Sequence, residues 1–137
     1  MSDAAHPSET FFTVVGCMDG RVQEVTTQFG KKKFGAKYPD KISEAGMVGI
    51  IAKSPSEDFV KDLKLKLLIS LNKHNSRGIL VDGHEDCVGN PVDDDKHHKD
   101  VRKSVEFIRS LTGDKVPVIG VFVTQTKGIW QAEELTA

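Results

Sequence analysis

The sequence predicts an α/β fold, a mostly parallel β-sheet of about four strands flanked by helices, with material for one more edge strand at the C-terminus. Short apolar runs rich in β-branched and aromatic residues alternate with longer amphipathic stretches, the pattern of strands joined by crossover helices. The 137 residues are 38% hydrophobic and 28% charged, an ordinary balance for a chain with one core. No internal repeat, low-complexity tract or Pro/Gly-rich linker divides the sequence. Residues 1–137 are expected to form a single domain.

Phe11 to Gly16 (FFTVVG) reads as a buried strand closed by a glycine. Lys41 to Ala45 is read as a short additional strand. Ser54-Pro55-Ser56-Glu57 has the form of a capping box with proline in the first helical position. Val60, Leu63, Leu67 and Leu71 follow at helical spacing and give one apolar face. Ile79 to Gly83 (ILVDG) is the next strand. Asp93-Asp94-Asp95 puts negative charge where a helix should begin, and Val101, Val105, Ile108 and Leu111 continue it to Gly113, a C-terminal cap. Val116 to Val123 (VPVIGVFV) is a third apolar strand. The tail, Gly128 to Leu135, suits either a final edge strand or a helix, and its periodicity does not decide.

A formal net charge of −1 gives no broad attraction to nucleic acid or to an anionic membrane, and neither partner is expected. Lys31-Lys32-Lys33 is short and reads as a solvated turn. No run approaches the ~18 apolar residues of a membrane span. Met1 to Glu9 is polar and carries acids, unlike a signal peptide. A cytoplasmic location is therefore expected. There the only two cysteines, Cys17 and Cys87, are more at home free, metal-bound or catalytic than as a disulfide.

Position makes the metal reading attractive. Cys17 follows the first strand and His84 follows the strand Ile79 to Gly83. Sites in open parallel sheets form outside the carboxyl ends of strands, where the strand order reverses. If these strands are neighbours there, Cys17 faces His84 and Cys87 across one crevice. His84-Glu85-Asp86-Cys87 lets an imidazole and a thiol converge on one ion. Two thiolates and an imidazole suit zinc, and three ligands leave a fourth position open. The plainer reading is a small core cysteine beside a capping histidine. Asp19, two residues from Cys17, can pair with Arg21. Its carboxylate would either take the fourth metal position or accept a hydrogen bond from a metal-bound water.

The motifs Cys17-Met18-Asp19-Gly20-Arg21 and His84-Glu85-Asp86-Cys87, with Gly83 before the second and Ala45-Gly46 between them, resemble those of the β-class carbonic anhydrases. The resemblance runs from about Val14 to Val123. It implies Zn2+ held by Cys17, His84 and Cys87, with Asp19 as a fourth ligand in a resting form. It implies reversible hydration of CO2 to bicarbonate, a lyase reaction in which zinc hydroxide is the nucleophile. Asp19 and Arg21 are then the catalytic pair that orients it. A homodimer or a multiple of dimers is the implied assembly.

The chain departs from the family pattern at several points. Few residues precede the first strand, where the family has N-terminal helices and a substrate-assisting glutamine. Ser43-Glu44 stand in place of Arg-Asn, and Val88 replaces the glycine after the second cysteine. Two other readings share the zinc site: a hydrolase of CS2 or COS, and a zinc-binding homologue without turnover that serves regulation or assembly. A phosphatase loop is excluded because Met18-Asp19-Gly20 is too short and acidic to cradle phosphate. His97 and His98, in Lys96-His97-His98-Lys99, are expected on a solvated helix start. His74 and His6 show no partner in the sequence, and Trp130 and Phe122 are expected to serve packing.

Overall fold

The computed structural model describes residues 8–135; His6 and the leading segment of the proposed polar N-terminus lie outside them. Five strands form one sheet in the order β2-β1-β3-β4-β5. They are β1 (Phe11–Cys17), β2 (Tyr38–Glu44), β3 (Ile79–His84), β4 (Val118–Thr126) and β5 (Ile129–Leu135). The first four are mutually parallel and β5 returns antiparallel along β4. The helices are α1 (Gln23–Phe34), α2 (Met47–Ala52), α3 (Glu57–Asn72) and α4 (Asp94–Thr112).

Alternation along the strands builds two cores. Val15, Ile79 and Val81 face α2, α3 and α4 and pack with Met47, Leu63, Leu67, Val101 and Ile108. Phe12, Val14, Leu80 and Val121 face the other way, toward Phe29 and Phe34 of α1. The chain leaves β1 through α1 on one face and returns through α2 and α3 on the other. Strand order therefore reverses between β1 and β3, as the sequence reading required.

The expected α/β architecture is present, and the tail is a strand. Its two-residue loop explains why: Lys127 and Gly128 both have positive φ (52° and 80°), the geometry that matches a tight hairpin to the twist of its strands.

Several boundaries differ. The first additional strand spans Tyr38–Glu44, not 41–45; β2 is an edge strand, so Pro39 needs no ladder partner for its missing N–H. The strand after α4 begins at Val118, past Pro117, and runs on to Thr126. The cap of α3 is Ser56, whose side chain accepts from the Phe59 amide at 3.2 Å. Ser54 lies at φ 59°, outside a cap's extended geometry, so Pro55 precedes the helix and the Ser54–Glu57 capping box does not form. Lys31, Lys32 and Lys33 form the last turn of α1, where cations complement the helix dipole, and are not a turn. The residues that α1 buries fully are Thr26 and Gly30, which leave no apolar period in the sequence. A Cβ on Gly30 would lie 2.0 Å from the Phe12 ring.

Because Ser56 caps α3, Ser56→Ala should cost about 1 kcal/mol in urea unfolding. Ser54→Gly, at a left-handed position, should cost nothing.

Candidate metal centre

β1 ends in Cys17 and β3 ends in His84, and the register Val15 opposite Val81 sets these ends side by side. Cys17, His84 and Cys87 are all buried, and their ligand atoms lie within 4.8 Å of one another. The two sulfurs are 3.8 Å apart. His84 Nδ1 sits 2.7 Å from the Glu85 carbonyl oxygen, the contact expected of an Nδ1–H donor. Its Nε2 is buried and has no hydrogen-bond partner. A buried imidazole nitrogen left unpaired beside two thiols is costly in a dry site. A soft divalent cation such as zinc fits that donor set. The cluster could hold a metal ion.

Backbone contacts hold the cluster's parts in place. The Gly46 amide donates to Cys17 Sγ at 3.4 Å. Gly46 has φ 65°, and a Cβ there would lie 2.3 Å from the Gly89 carbonyl carbon. A Cβ on Gly89 would in turn lie 2.5 Å from backbone atoms of Ala45 and Gly46. The loops before α2 and after Cys87 thus touch backbone to backbone, and only paired glycines permit it.

Asp19 lies outside the three-ligand cluster, with Oδ2 3.9 Å from His84 Nε2. Arg21 grips it through two side-chain groups: Nε donates to Oδ1 at 3.1 Å and a terminal nitrogen donates to Oδ2 at 2.7 Å. The Arg21 amide adds a bond to Oδ1 at 2.9 Å. These bonds from Arg21, opposed by burial, hold the Asp19 carboxyl down at about 2. The same guanidinium donates to the Asp86 carboxylate and carbonyl, both at 3.1 Å. Arg21 thereby spans the loop after β1 and the loop after β3. The Trp130 ring lies against it, with Arg21 Cζ 4.9 Å from the ring centroid.

The two thiols are electrostatically unequal. Burial pushes Cys17 up, but the neighbouring His84 imidazole and the backbone of Gly46 and Asp19 outweigh it and bring Cys17 to about 7. Burial, then the neighbouring Cys17, pushes Cys87 up to about 11. Burial alone would lower His84, yet the Cys17 sulfur and the Glu85 carbonyl raise it on balance.

Three further side chains support the cluster, Gln23 and Asp82 directly and Lys41 through Gln23. Gln23 Nε2 donates to the carbonyls of Cys17 and Asp19 at 2.9 and 2.8 Å, and Lys41 Nζ donates to Gln23 Oε1 at 2.9 Å. Asp82 accepts from the Cys17 amide at 3.1 Å; burial raises its carboxyl to about 6. A carboxylate inside the run ILVDG was a visible signal for Asp82. Gln23 gave none, since nothing in its type or spacing marks an amide that bridges two carbonyls.

The remaining histidines differ from expectation. His97 is 1% exposed, not solvated, with its ring edge-on to Phe122. It faces inward because Gly83 has no side chain: a Cβ there would lie 3.0 Å from His97 Nε2. His74 does have partners, Asp40 at 2.7 Å and the stacked ring of Phe11.

A model of the family described as "Putative carbonic anhydrase" matches residues 7–135. The β-carbonic anhydrase isoform I of Trichomonas vaginalis superposes with a TM-score of 0.57 at 19% identity, over 94% of this chain and 86% of that one. A carbonic anhydrase of Streptococcus mutans gives 0.61 at 16%, over 97% and 87%. A wild-type β-carbonic anhydrase of Aspergillus fumigatus gives 0.59 at 14%, over 96% and 91%. At these identities the likeness establishes the shared fold alone. No curated protein matches the sequence. Among the described residues, no helix is long and apolar enough to cross a membrane. The family match spans nearly the whole chain and the fold agrees with it, so this chain belongs to the β-carbonic anhydrase family.

Proposed function

We propose that this protein is a zinc-dependent carbonic anhydrase that interconverts CO2 and bicarbonate. The observation that carries the reading is the buried Cys17–His84–Cys87 cluster beside a carboxylate locked by Arg21. Cys17 and Cys87 would hold zinc through sulfur and His84 through Nε2, the ring nitrogen left without a partner. Zinc, when bound, supplies a Lewis acid that makes water acidic enough to ionise near neutral pH.

The chain's own residues would do the rest. Asp19, ionised at every pH above about 2, is an acceptor only. It takes a hydrogen bond from the hydroxyl group of the nucleophile or of bicarbonate. That bond fixes the direction of the oxygen's remaining lone pair toward the carbon of CO2. Arg21 holds both Asp19 oxygens, so the carboxylate cannot swing freely into the cluster. This supports the catalytic reading over a homologue without turnover closed by Asp19. CO2 is preferred over CS2 or COS as the substrate of the family to which the chain belongs. A homodimer or a multiple of dimers, and a cytoplasmic location, belong to the same proposal; the β-carbonic anhydrases of Sordaria macrospora are tetrameric.

Stopped-flow CO2 hydration between about pH 6 and about pH 9, on protein of known zinc content, tests the reading. One zinc per chain with activity rising through neutral pH is expected; zinc-loaded protein inactive throughout would overturn it. Cys17→Ser and His84→Ala should lose both zinc and activity. Asp19→Asn should keep its zinc and lose about 10²-fold in kcat, and unchanged turnover would remove Asp19 from the mechanism.

In protein stripped of metal, alkylation should distinguish the cysteines. Both are 7% exposed, so access does not favour either. Near pH 8 Cys17, with its pKa at about 7, is mostly thiolate, whereas Cys87, at about 11, remains a thiol. Peptide mapping should find Cys17 modified first, and the reverse order would contradict the electrostatics.

A further inference from the structure

β5 lies at the far edge of the sheet, separated from β1 by two strands, yet it supplies the one aromatic face found against the Asp19–Arg21 pair among the described residues. We infer that Trp130 is a positioning residue for this reaction: its indole face holds the Arg21 guanidinium in the orientation that grips Asp19 and Asp86 together. The inference rests on the carbonic anhydrase reading of the site.

Arg21 needs such a support. Its side chain is 43% exposed, and a long side chain at that exposure ordinarily samples several rotamers. Four hydrogen-bonding groups depend on one rotamer here: both Asp19 oxygens, the Asp86 carboxylate and the Asp86 carbonyl. The planar guanidinium uses its edge for these bonds and leaves its faces free. The Trp130 ring, with Arg21 Cζ over it at 4.9 Å from the centroid, makes a cation–π contact that takes none of these donors.

The indole is itself fixed. Trp130 pairs with Gln125 across the hairpin. It shares its strand face with Ala132, which packs in the α1-side core, and with Glu134, which pairs with Lys33 of α1 at 2.9 Å. The hairpin is also tied to the loop after β3. The Gln125 amide donates to Glu85 Oε1 at 2.6 Å, and the Glu85 amide donates to the Val123 carbonyl at 3.0 Å. One rigid hairpin therefore locates the His84–Cys87 loop through Glu85 and the Asp19 loop through Trp130 and Arg21. Only the second tie acts through a side chain that can be removed without touching the proposed metal ligands.

The test compares wild type, Trp130→Leu and Trp130→Phe as zinc-loaded full chains. Nuclear magnetic resonance reads the contact directly. An indole face shifts the Arg21 side-chain protons upfield by its ring current, and an Arg21 Nε–H held in place exchanges slowly with water. Both signatures are expected in wild type and should be lost in Trp130→Leu. Kinetically, Trp130→Leu should lose about three- to tenfold in kcat with KM and zinc content unchanged. Trp130→Phe should recover most of that loss, because it restores an aromatic face.

Unshifted, fast-exchanging Arg21 signals in wild type would overturn the inference, as would a Leu variant with wild-type kcat. Should wild type hydrate no CO2 at all, the enzymatic reading fails. The Arg21 shift and exchange rate would then still decide whether Trp130 holds the guanidinium.

Discussion

The parallel pairing of β1 with β3 is the constraint from which the rest of the site follows. Thr13 to Val15 lie opposite Ile79 to Val81, and both strands are covered on each face by buried side chains. A slip of one residue would exchange the two faces, moving Val15 toward α1 and Val14 toward α3. Since both faces are apolar and differently shaped, packing resists that slip. The register then decides how far Cys17 stands from His84. Everything downstream, from the 3.8 Å sulfur separation to the reach of Arg21, assumes that spacing.

Two kinds of contact convert neighbouring strand ends into a site. The first is steric. Gly46 and Gly89 let two loops approach at backbone distance, and Gly16 leaves room for Asp82, whose carboxylate would lie 1.8 Å from a Cβ at that position. The second is polar. Asp82 holds the Cys17 amide, Gln23 holds the Cys17 and Asp19 carbonyls, and Arg21 spans both loops. Such outer contacts orient a ligand as much as the ligand's own rotamer does. They also create the electrostatic difference between the cysteines. Cys17 has hydrogen-bond donors and an imidazole beside it, whereas Cys87 has burial and a neighbouring sulfur against it.

Charge near the cluster is arranged in opposition. Asp82, buried behind Cys17, has its carboxyl raised to about 6, whereas Asp19, at the rim against Arg21, is held at about 2. Two carboxylates within a few residues of the candidate ligands thus lie on opposite sides of the ordinary aspartate value. Burial dominates the first and a guanidinium dominates the second.

Local composition determined much about this protein. Short, continuous apolar runs rich in β-branched residues marked β1, β3 and β4, helical spacing marked α3 and α4, and Asp93 and Gly113 marked the ends of α4, because each of these signals is written within a few residues. The two motifs around Cys17 and His84 were legible for the same reason. Tertiary structure alone decided what depended on distant partners. It moved the cap of α3 to Ser56, made α1 a helix around a glycine that fits against Phe12, buried His97 over Gly83 and turned the tail into a strand along β4. It also brought Gln23, Asp82 and Trp130 to the site from positions that no spacing rule connects to Cys17. Their roles depend on which strands lie side by side, and side-by-side placement is settled by burying two apolar faces at once, a property of the whole sheet.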